Sequence, residues 1–172
     1  ANAVKIVNSL GVKKVIFLPD DYLAKYVASQ TDVEIISWKG TCEVHEKFND
    51  TEINEIRKNN PGIKVIAHPE CPPDVINASD FTGSTSGMIQ YVKDNHPEKV
   101  MMVTECSMSD NVQVDNPNVK FIRPCNLCPH MKRITLPKIL DCLTNETNEI
   151  LMSDETIEKA RKSVERMAKI GR

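Results

Sequence analysis

Six cysteines are the residues in this 172-residue sequence with the most evident chemical potential. In a small secreted protein they would predict a disulfide framework. This chain carries long hydrophobic periodicities and is large enough to bury a core without cross-links. Metal or redox chemistry is therefore the better interpretation for some of these thiols. The cysteines are Cys42, Cys71, Cys106, Cys125, Cys128 and Cys142.

Cys125 and Cys128 form a CxxC motif. On its own this motif fits half of a zinc site, a redox pair or part of an iron–sulfur site. The sequence has no second CxxC that would complete a four-thiolate zinc site, and the motif comes late for a thioredoxin-like pair. Pro129 directly after the motif is typical of iron–sulfur loops. Iron–sulfur chemistry is favoured, while zinc and structural or redox thiols stay open.

Two further polar groups follow apolar runs. Because alternate residues of an extended segment point the same way, His68 and Glu70 are expected to share a pocket as an acid–base pair, with Cys71 pointing away. Cys42 has Gly40 before it and His45 after it. That thiol is interpreted either as a small buried hydrophobe or as a metal ligand.

A stretch of small residues, 80–88, opens a predicted helix with Ser84 and Thr85 at its start. Backbone N–H groups and the helix dipole make such a terminus suitable for a phosphate or a carboxylate. Simple capping by either hydroxyl is the alternative interpretation. The nearby His68 and Glu70 favour the anion site.

Helical patterns alternate with short runs that predict strands at 33–38 and 64–67 and buried strands at 15–18, 100–103 and 119–122. This alternation predicts an α/β fold of repeated small units with parallel sheets. Ligands bind beyond the carboxyl ends of such strands, which is where the polar groups above fall. A helix follows Thr135, with Leu136, Ile139, Leu140 and Leu143 expected to point inward. The helical pattern already present at Ala1 predicts a piece of a longer protein.

Charge and hydropathy exclude several classes of protein. The net charge is −2, from 22 basic and 24 acidic side chains that are scattered along the chain. This distribution does not predict binding to nucleic acid. No apolar run is long enough to span a membrane and no secretory signal is visible, so a cytoplasmic location is expected.

Four segments together resemble the quinolinate synthase family, in the order in which that family has them. They are residues 38–45 (WKGTCEVH), 67–73 (AHPECPP), 80–88 (DFTGSTSGM) and 125–132 (CNLCPHMK), the last followed by Thr135 and Leu136. The resemblance implies small three-layer α/β units in a pseudo-threefold arrangement. Residues 1–42 would then end one unit, 43–128 would form a complete unit, and 129–172 would be a helical segment packing on an upstream unit.

The resemblance also implies a function. The family's enzyme is a transferase that condenses iminoaspartate with dihydroxyacetone phosphate to form quinolinate, in NAD biosynthesis. A [4Fe–4S] cluster held by three cysteines acts there as a Lewis acid. Cys42 and Cys128 would be two of its ligands, and the third is expected in an upstream part of the protein. Cys125 matches an accessory thiol of the family. Glu70 and His68 would be catalytic, and the substrate would be bound by His45, His68, Pro69, Glu70, Ser84 and Thr85.

Two other functions remain open from the residues alone. One is a non-catalytic metal- or thiol-binding α/β module, or an inactive fragment of the enzyme. The other is a sugar- or phosphate-binding α/β protein that uses only Ser84 and Thr85. Metal and sulfide analysis separates the first from a cluster enzyme, since one zinc without sulfide would exclude the cluster.

Overall fold

Short strands and helices alternate along the chain in a computed structural model that describes residues 2–171. Ala1, which belongs to the first predicted helix, lies outside these residues. The helices are α1 (Ala3–Ser9), α2 (Asp21–Ala28), α3 (Asp50–Asn59), α4 (Pro73–Asn77), α5 (Thr85–Asn95), α6 (Ser107–Asp115), α7 (Leu136–Asn145) and α8 (Asp154–Gly171). The strands are β1 (Lys14–Phe17), β2 (Glu34–Ser37), β3 (Lys64–Ala67), β4 (Phe81–Thr82), β5 (Lys99–Val103) and β6 (Lys120–Ile122).

All paired strands are parallel, as the alternation predicts. β1 and β2 form a two-stranded sheet, and a four-stranded sheet has the order β4-β3-β5-β6. The chain divides into two compact units, of which the first ends at Leu127 and the second begins at Cys128. Both sheets belong to the first unit, so the parallel α/β fold is confirmed there.

The four-stranded sheet holds the densest part of the core. β3 and β5 lie at its centre and are buried except at their first residues. Ile66 and Met102 pack there with Met88 and Val92 of α5 and with Val112 of α6. The strands have no polar side chains beyond their first residue because both faces are covered. The sequence predicts β3 with its observed bounds, whereas β4 and α6 were not predicted.

The two-stranded sheet is covered on one face only. Helix α2 packs against β2 and buries Ala24 and Val27. Ile16 on the opposite face of β1 is 75% exposed, and Trp38 after β2 is 62% exposed. The prediction that the first strand is buried is therefore wrong within the described residues of the first unit. Alternating side chains leave one face outward when helices cover only the other.

The second unit consists of helices with an open apolar face. In α7, Leu136, Leu140 and Leu143 lie on the expected stripe, yet all are exposed. The prediction that these residues point inward is wrong for the described part of this unit. Cys142 in the same helix donates its thiol proton to the Thr147 carbonyl over 3.0 Å.

Helix ends follow the chemistry of their first and last residues. The side chain of Asn49 caps α3 by accepting from the Glu52 N–H group at 2.9 Å. Gly11, which follows α1, has a φ of 65°, which glycine adopts without strain. None of the described helices is long and apolar enough to cross a membrane.

Candidate functional site

The polar residues after β2, β3 and β5 meet in the first unit. Cys42 follows β2, His68 and Glu70 follow β3, and Thr104 follows β5. His45 reaches the same place from a short 3₁₀ helix, His45–Lys47. In the four-stranded sheet, the parallel strands β3 and β5 bring their carboxyl ends to one edge, which explains why residues distant in sequence gather there. Cys42 comes from the carboxyl end of β2 in the two-stranded sheet.

Asp20 anchors the loop that carries Cys42. One carboxylate oxygen accepts the N–H group of Leu23 at 2.6 Å, and the other accepts the N–H group of Cys42 at 2.9 Å. Burial raises the pKa of this carboxyl above its ordinary value. A Cβ on Gly40 would lie 2.5 Å from the carbonyl oxygen of Pro19, so only glycine lets the two loops come this close.

Three potential metal ligands lie side by side. The ligand atoms of Cys42, His45 and Glu70 are all within 4.8 Å of one another. His45 is 7% exposed, and its Nδ1 atom lies 3.2 Å from Oε2 of Glu70. The other ring nitrogen, Nε2, lies 3.0 Å from the buried hydroxyl of Thr104. A thiol, an imidazole and a carboxylate therefore face one small volume.

His68 completes the cluster by stacking on His45. The two rings are 4.5 Å apart at their centres and 14° from parallel. Burial, assisted by the nearby His45, lowers the pKa of His68 to about 4. His68 and Glu70 do come together, with Nδ1 and Oε2 3.8 Å apart. Residues 68–71 form a turn, in which the Cys71 N–H group donates to the His68 carbonyl at 3.0 Å. The prediction that His68 and Glu70 lie in an extended segment is therefore wrong.

The charges of the cluster follow from these contacts. The polar contact with His45 holds the pKa of Glu70 below its ordinary value, against the effect of burial. Burial raises the pKa of the Cys42 thiol, which the backbone N–H groups of His45 and Val44 partly offset. At neutral pH the site therefore combines an ionised carboxylate with a neutral His68 ring.

Of the two predicted anion-binding residues, Ser84 lines a separate cavity of the first unit and Thr85 does not. Its volume is about 580 Å³, and its wall includes Pro69, Ser84 and Tyr26. The Ser84 hydroxyl caps α5 by accepting the N–H group of Gly87 at 3.1 Å. Capping, the alternative interpretation, is thus observed. Thr85 is exposed in the first turn of the same helix.

The remaining cysteines have distinct environments. Cys125 forms a disulfide with Cys106, so the two cysteines of the CxxC motif do not pair with each other. Cys71 is buried and directs its thiol at the Val103 carbonyl, 3.5 Å away, which agrees with a structural role. Cys128 opens the second unit, where its sulfur accepts the N–H group of Met131 at 3.5 Å.

Sequence reasoning missed two residues that position the site, Asp20 and Thr104. Asp20 directly precedes α2, after β1, and Thr104 directly follows β5. The rule that ligand sites lie beyond the carboxyl ends of strands applies to both residues and could have included them. Neither residue type is distinctive in a sequence, because Asp and Thr are common helix caps and strand-end residues.

Comparisons with known proteins agree with one another. The family model described as NadA, quinolinate synthetase A protein, matches residues 1–169. The chain is 54% identical to a quinolinate synthase of Sinorhizobium fredii over 99% of its own length and 47% of that protein. It is 55% identical to quinolinate synthase 1 of Mesorhizobium japonicum over 96% of the chain and 51% of that relative. The chain spans about half the length of the curated relatives it matches.

Proposed function

Since the chain belongs to the quinolinate synthase family, we propose that it forms part of an enzyme that condenses iminoaspartate with dihydroxyacetone phosphate to quinolinate. Phosphate and water leave in this reaction, which serves NAD biosynthesis. The observation that supports the proposal most strongly is the cluster of Cys42, His45, His68 and Glu70 at the strand ends. Such a cluster can hold a metal group beside an acid–base pair.

The proposed cofactor is a [4Fe–4S] cluster with Cys42 and Cys128 as two ligands. Neither cysteine is disulfide-bonded. The Cys128 sulfur lies near the backbone N–H group of Met131, and the Cys42 sulfur lies near those of Val44 and His45. Such N–H groups stabilise the thiolates of iron–sulfur clusters, so these residues fit the cofactor. When bound, the cluster supplies a Lewis-acidic iron. The third thiolate is proposed to come from another part of the protein.

The side chains around this cofactor have proposed roles that follow from their environments. Glu70 remains ionised and can accept a proton from the substrate. His68 remains neutral, because burial opposes its charged form, and can hydrogen-bond to a substrate oxygen. Pro69 and Ser84, which line the 580 Å³ cavity, would bind the substrate with Thr85 and His45.

The domain organisation is part of the same proposal. Residues 1–42 would complete one α/β unit, residues 43–128 would form a second, and residues 129–172 would pack on an upstream unit. The exposed leucine stripe of α7 supports the last of these assignments, since such a stripe ordinarily has a packing partner.

The test uses the intact polypeptide that contains this chain, purified without oxygen. We expect about four irons and four sulfides per polypeptide. Cys42→Ser and Cys128→Ser should each lower both contents, while Cys142→Ser, a matched control outside the proposed ligands, should not. One zinc per polypeptide with no sulfide would overturn the proposal in favour of a non-catalytic metal-binding module.

A second test concerns Glu70. Glu70→Gln keeps the size of the side chain but removes its capacity to accept a proton. Turnover should fall by about 10²-fold or more while the iron and sulfide contents stay unchanged. Undiminished turnover would show that Glu70 does not transfer a proton.

A further inference from the structure

The side chain of Asp20 connects two parts of the proposed active site. It is 5% exposed and lies directly before α2. One of its oxygens accepts the N–H group of Leu23 at 2.6 Å, and the other accepts the N–H group of Cys42 at 2.9 Å. Leu23 lines the cavity of about 580 Å³, whereas Cys42 is a proposed ligand of the iron–sulfur cluster. One buried side chain therefore links the cavity wall to the cluster ligand.

Helix α2 supplies one side of that cavity. Leu23, Tyr26 and Val27 line the wall, at the spacing of a single helical face. Val27 is completely buried, so this part of the helix is firmly packed. Asp20 is the N-cap of α2, because its side chain accepts from the first turn of the helix. The position of Asp20 is thus tied to the position of this wall.

The main chain around Asp20 is held equally firmly. The N–H group of Asp21 donates to the carbonyl of Gly40 at 2.8 Å, and Asp20 pairs with Gly40 in an isolated parallel bridge. The carbonyl oxygen of Pro19 lies so close to Gly40 that it leaves no room for a Cβ atom there. The loop before α2 and the loop before Cys42 are therefore in direct contact, and the Asp20 side chain spans them.

Capping alone does not account for the contacts of Asp20. A cap needs one side-chain oxygen, and the Leu23 N–H group already occupies one. The second oxygen is committed to Cys42, 22 residues further along the chain. Residues that hold a metal ligand from behind change metal affinity or activity by about 10–100-fold when they are replaced. Asp20 acts in this way on Cys42, through its main chain.

We propose that Asp20 is a positioning residue of the condensation, which fixes the cluster ligand Cys42 relative to the α2 wall of the substrate cavity. The inference rests on the proposed function for the identity of the cluster and of the substrates. The link between Leu23 and Cys42 is a property of this chain alone. Loosening it should disturb the cluster and the rate of the reaction more than the binding of substrate, since every side chain of the cavity wall remains.

The test uses the intact polypeptide that contains this chain, purified without oxygen, with the variants Asp20→Asn and Asp20→Ser. Both replacements keep one side-chain oxygen for the cap of α2, where Asn and Ser are as favourable as Asp. Neither offers a second acceptor oxygen for the Cys42 N–H group. Asp21→Asn is the matched control, because the Asp21 carboxylate contacts Ser37 and Lys25 instead. Far-UV circular dichroism checks that each variant is folded.

The cluster and the kinetics provide the first readouts. Iron and sulfide contents should stay near those of the unaltered polypeptide, because every cluster ligand remains. In both Asp20 variants, iron release to a chelator should become about tenfold faster, and the electron paramagnetic resonance spectrum of the reduced cluster should change. The kcat should fall by about tenfold or more, while the KM for dihydroxyacetone phosphate stays unchanged. Asp21→Asn should match the unaltered polypeptide in every measurement.

A further readout does not need the cluster. In the metal-free polypeptide, iodoacetamide should alkylate Cys42 about fivefold faster or more in both Asp20 variants than in Asp21→Asn, because the loop opens more often. Mass spectrometry measures these rates. Equal rates would overturn the inference, and so would unchanged iron release from both Asp20 variants. If the unaltered polypeptide contained no iron and sulfide, the proposed cluster would fail instead, and the alkylation rates would still decide whether Asp20 positions Cys42.

Discussion

The four-stranded sheet and helix α7 carry similar apolar residues with opposite fates. In the sheet, Ile66 is completely buried with residues of α5 and α6, whereas Leu140 in α7 is 66% exposed. Both segments have the hydrophobic periodicity of a buried element. The difference teaches that periodicity identifies the face that can be buried, while burial itself depends on a second surface that the sequence pattern does not identify.

The largest expected effect comes from shortening a side chain in the sheet. Ile66→Ala should lower the free energy of unfolding by about 2–5 kcal/mol, because it leaves a cavity in a closely packed core. Leu140→Ala, the matched change in α7, should alter it by no more than about 0.5 kcal/mol. Urea unfolding measures both. Similar losses for the two variants would show that the α7 face is covered in solution.

The next largest effect on the free energy of unfolding concerns the disulfide that precedes the second unit in the sequence. The Cys106–Cys125 disulfide spans 19 residues and closes a loop that ends three residues before the second unit. Its loss should lower the free energy of unfolding by about 3 kcal/mol, because the unfolded chain regains the freedom of that loop. Thermal unfolding of Cys125→Ser without reductant measures the loss. Adding reductant should destabilise the unaltered chain but not the variant, and an equal response of both would contradict the disulfide.

Acid should weaken the first unit through the residues of its site. His68 and Glu70 bind protons less readily in the folded than in the unfolded state, since the pKa of each is lowered. The free energy of unfolding should therefore fall as the pH drops from about 6.5 to about 4, the ordinary and folded pKa values of His68. Thermal unfolding at a series of pH values measures this slope. His68→Asn should flatten it, and a slope that persists in that variant would assign the effect to other groups.

The smallest expected effect compares two helix caps. Ser84 accepts a hydrogen bond from the first turn of α5, whereas Thr135 begins α7 without a side-chain capping bond. Ser84→Ala should therefore cost about 1 kcal/mol of unfolding free energy, and Thr135→Ala clearly less. Chemical denaturation of the two variants provides the comparison. Equal costs would mean that Thr135 gains a capping bond in solution.

Much of the fold was predictable because short buried strands carry an unmistakable composition. β3 was predicted to the residue. Helix α6 was missed because Ser107, Ser109 and Asp110 interrupt its apolar face. β4 was missed because it has only two residues, paired through the main chain with β3.

The site was predictable in part. The rule of strand ends indicated Cys42, His68 and Glu70, and the structure places Cys42 and Glu70 in one group of potential ligands, with His68 beside Glu70. It could not indicate that Asp20 would fix the Cys42 loop, because that contact depends on the close approach of two backbones at Gly40. The assignments of Cys128 and Thr85 remain predictions.

The exposed face of the two-stranded sheet also gives the protein an optical reporter. Trp38 is the sole tryptophan of the sequence, and it stands at that face, four residues before Cys42. Its fluorescence should have the long-wavelength maximum of an indole in water. Anything that covers the face would shift the emission to shorter wavelengths, and a paramagnetic ion held by Cys42 would quench it. One emission spectrum can thus distinguish a covered sheet from an occupied metal site.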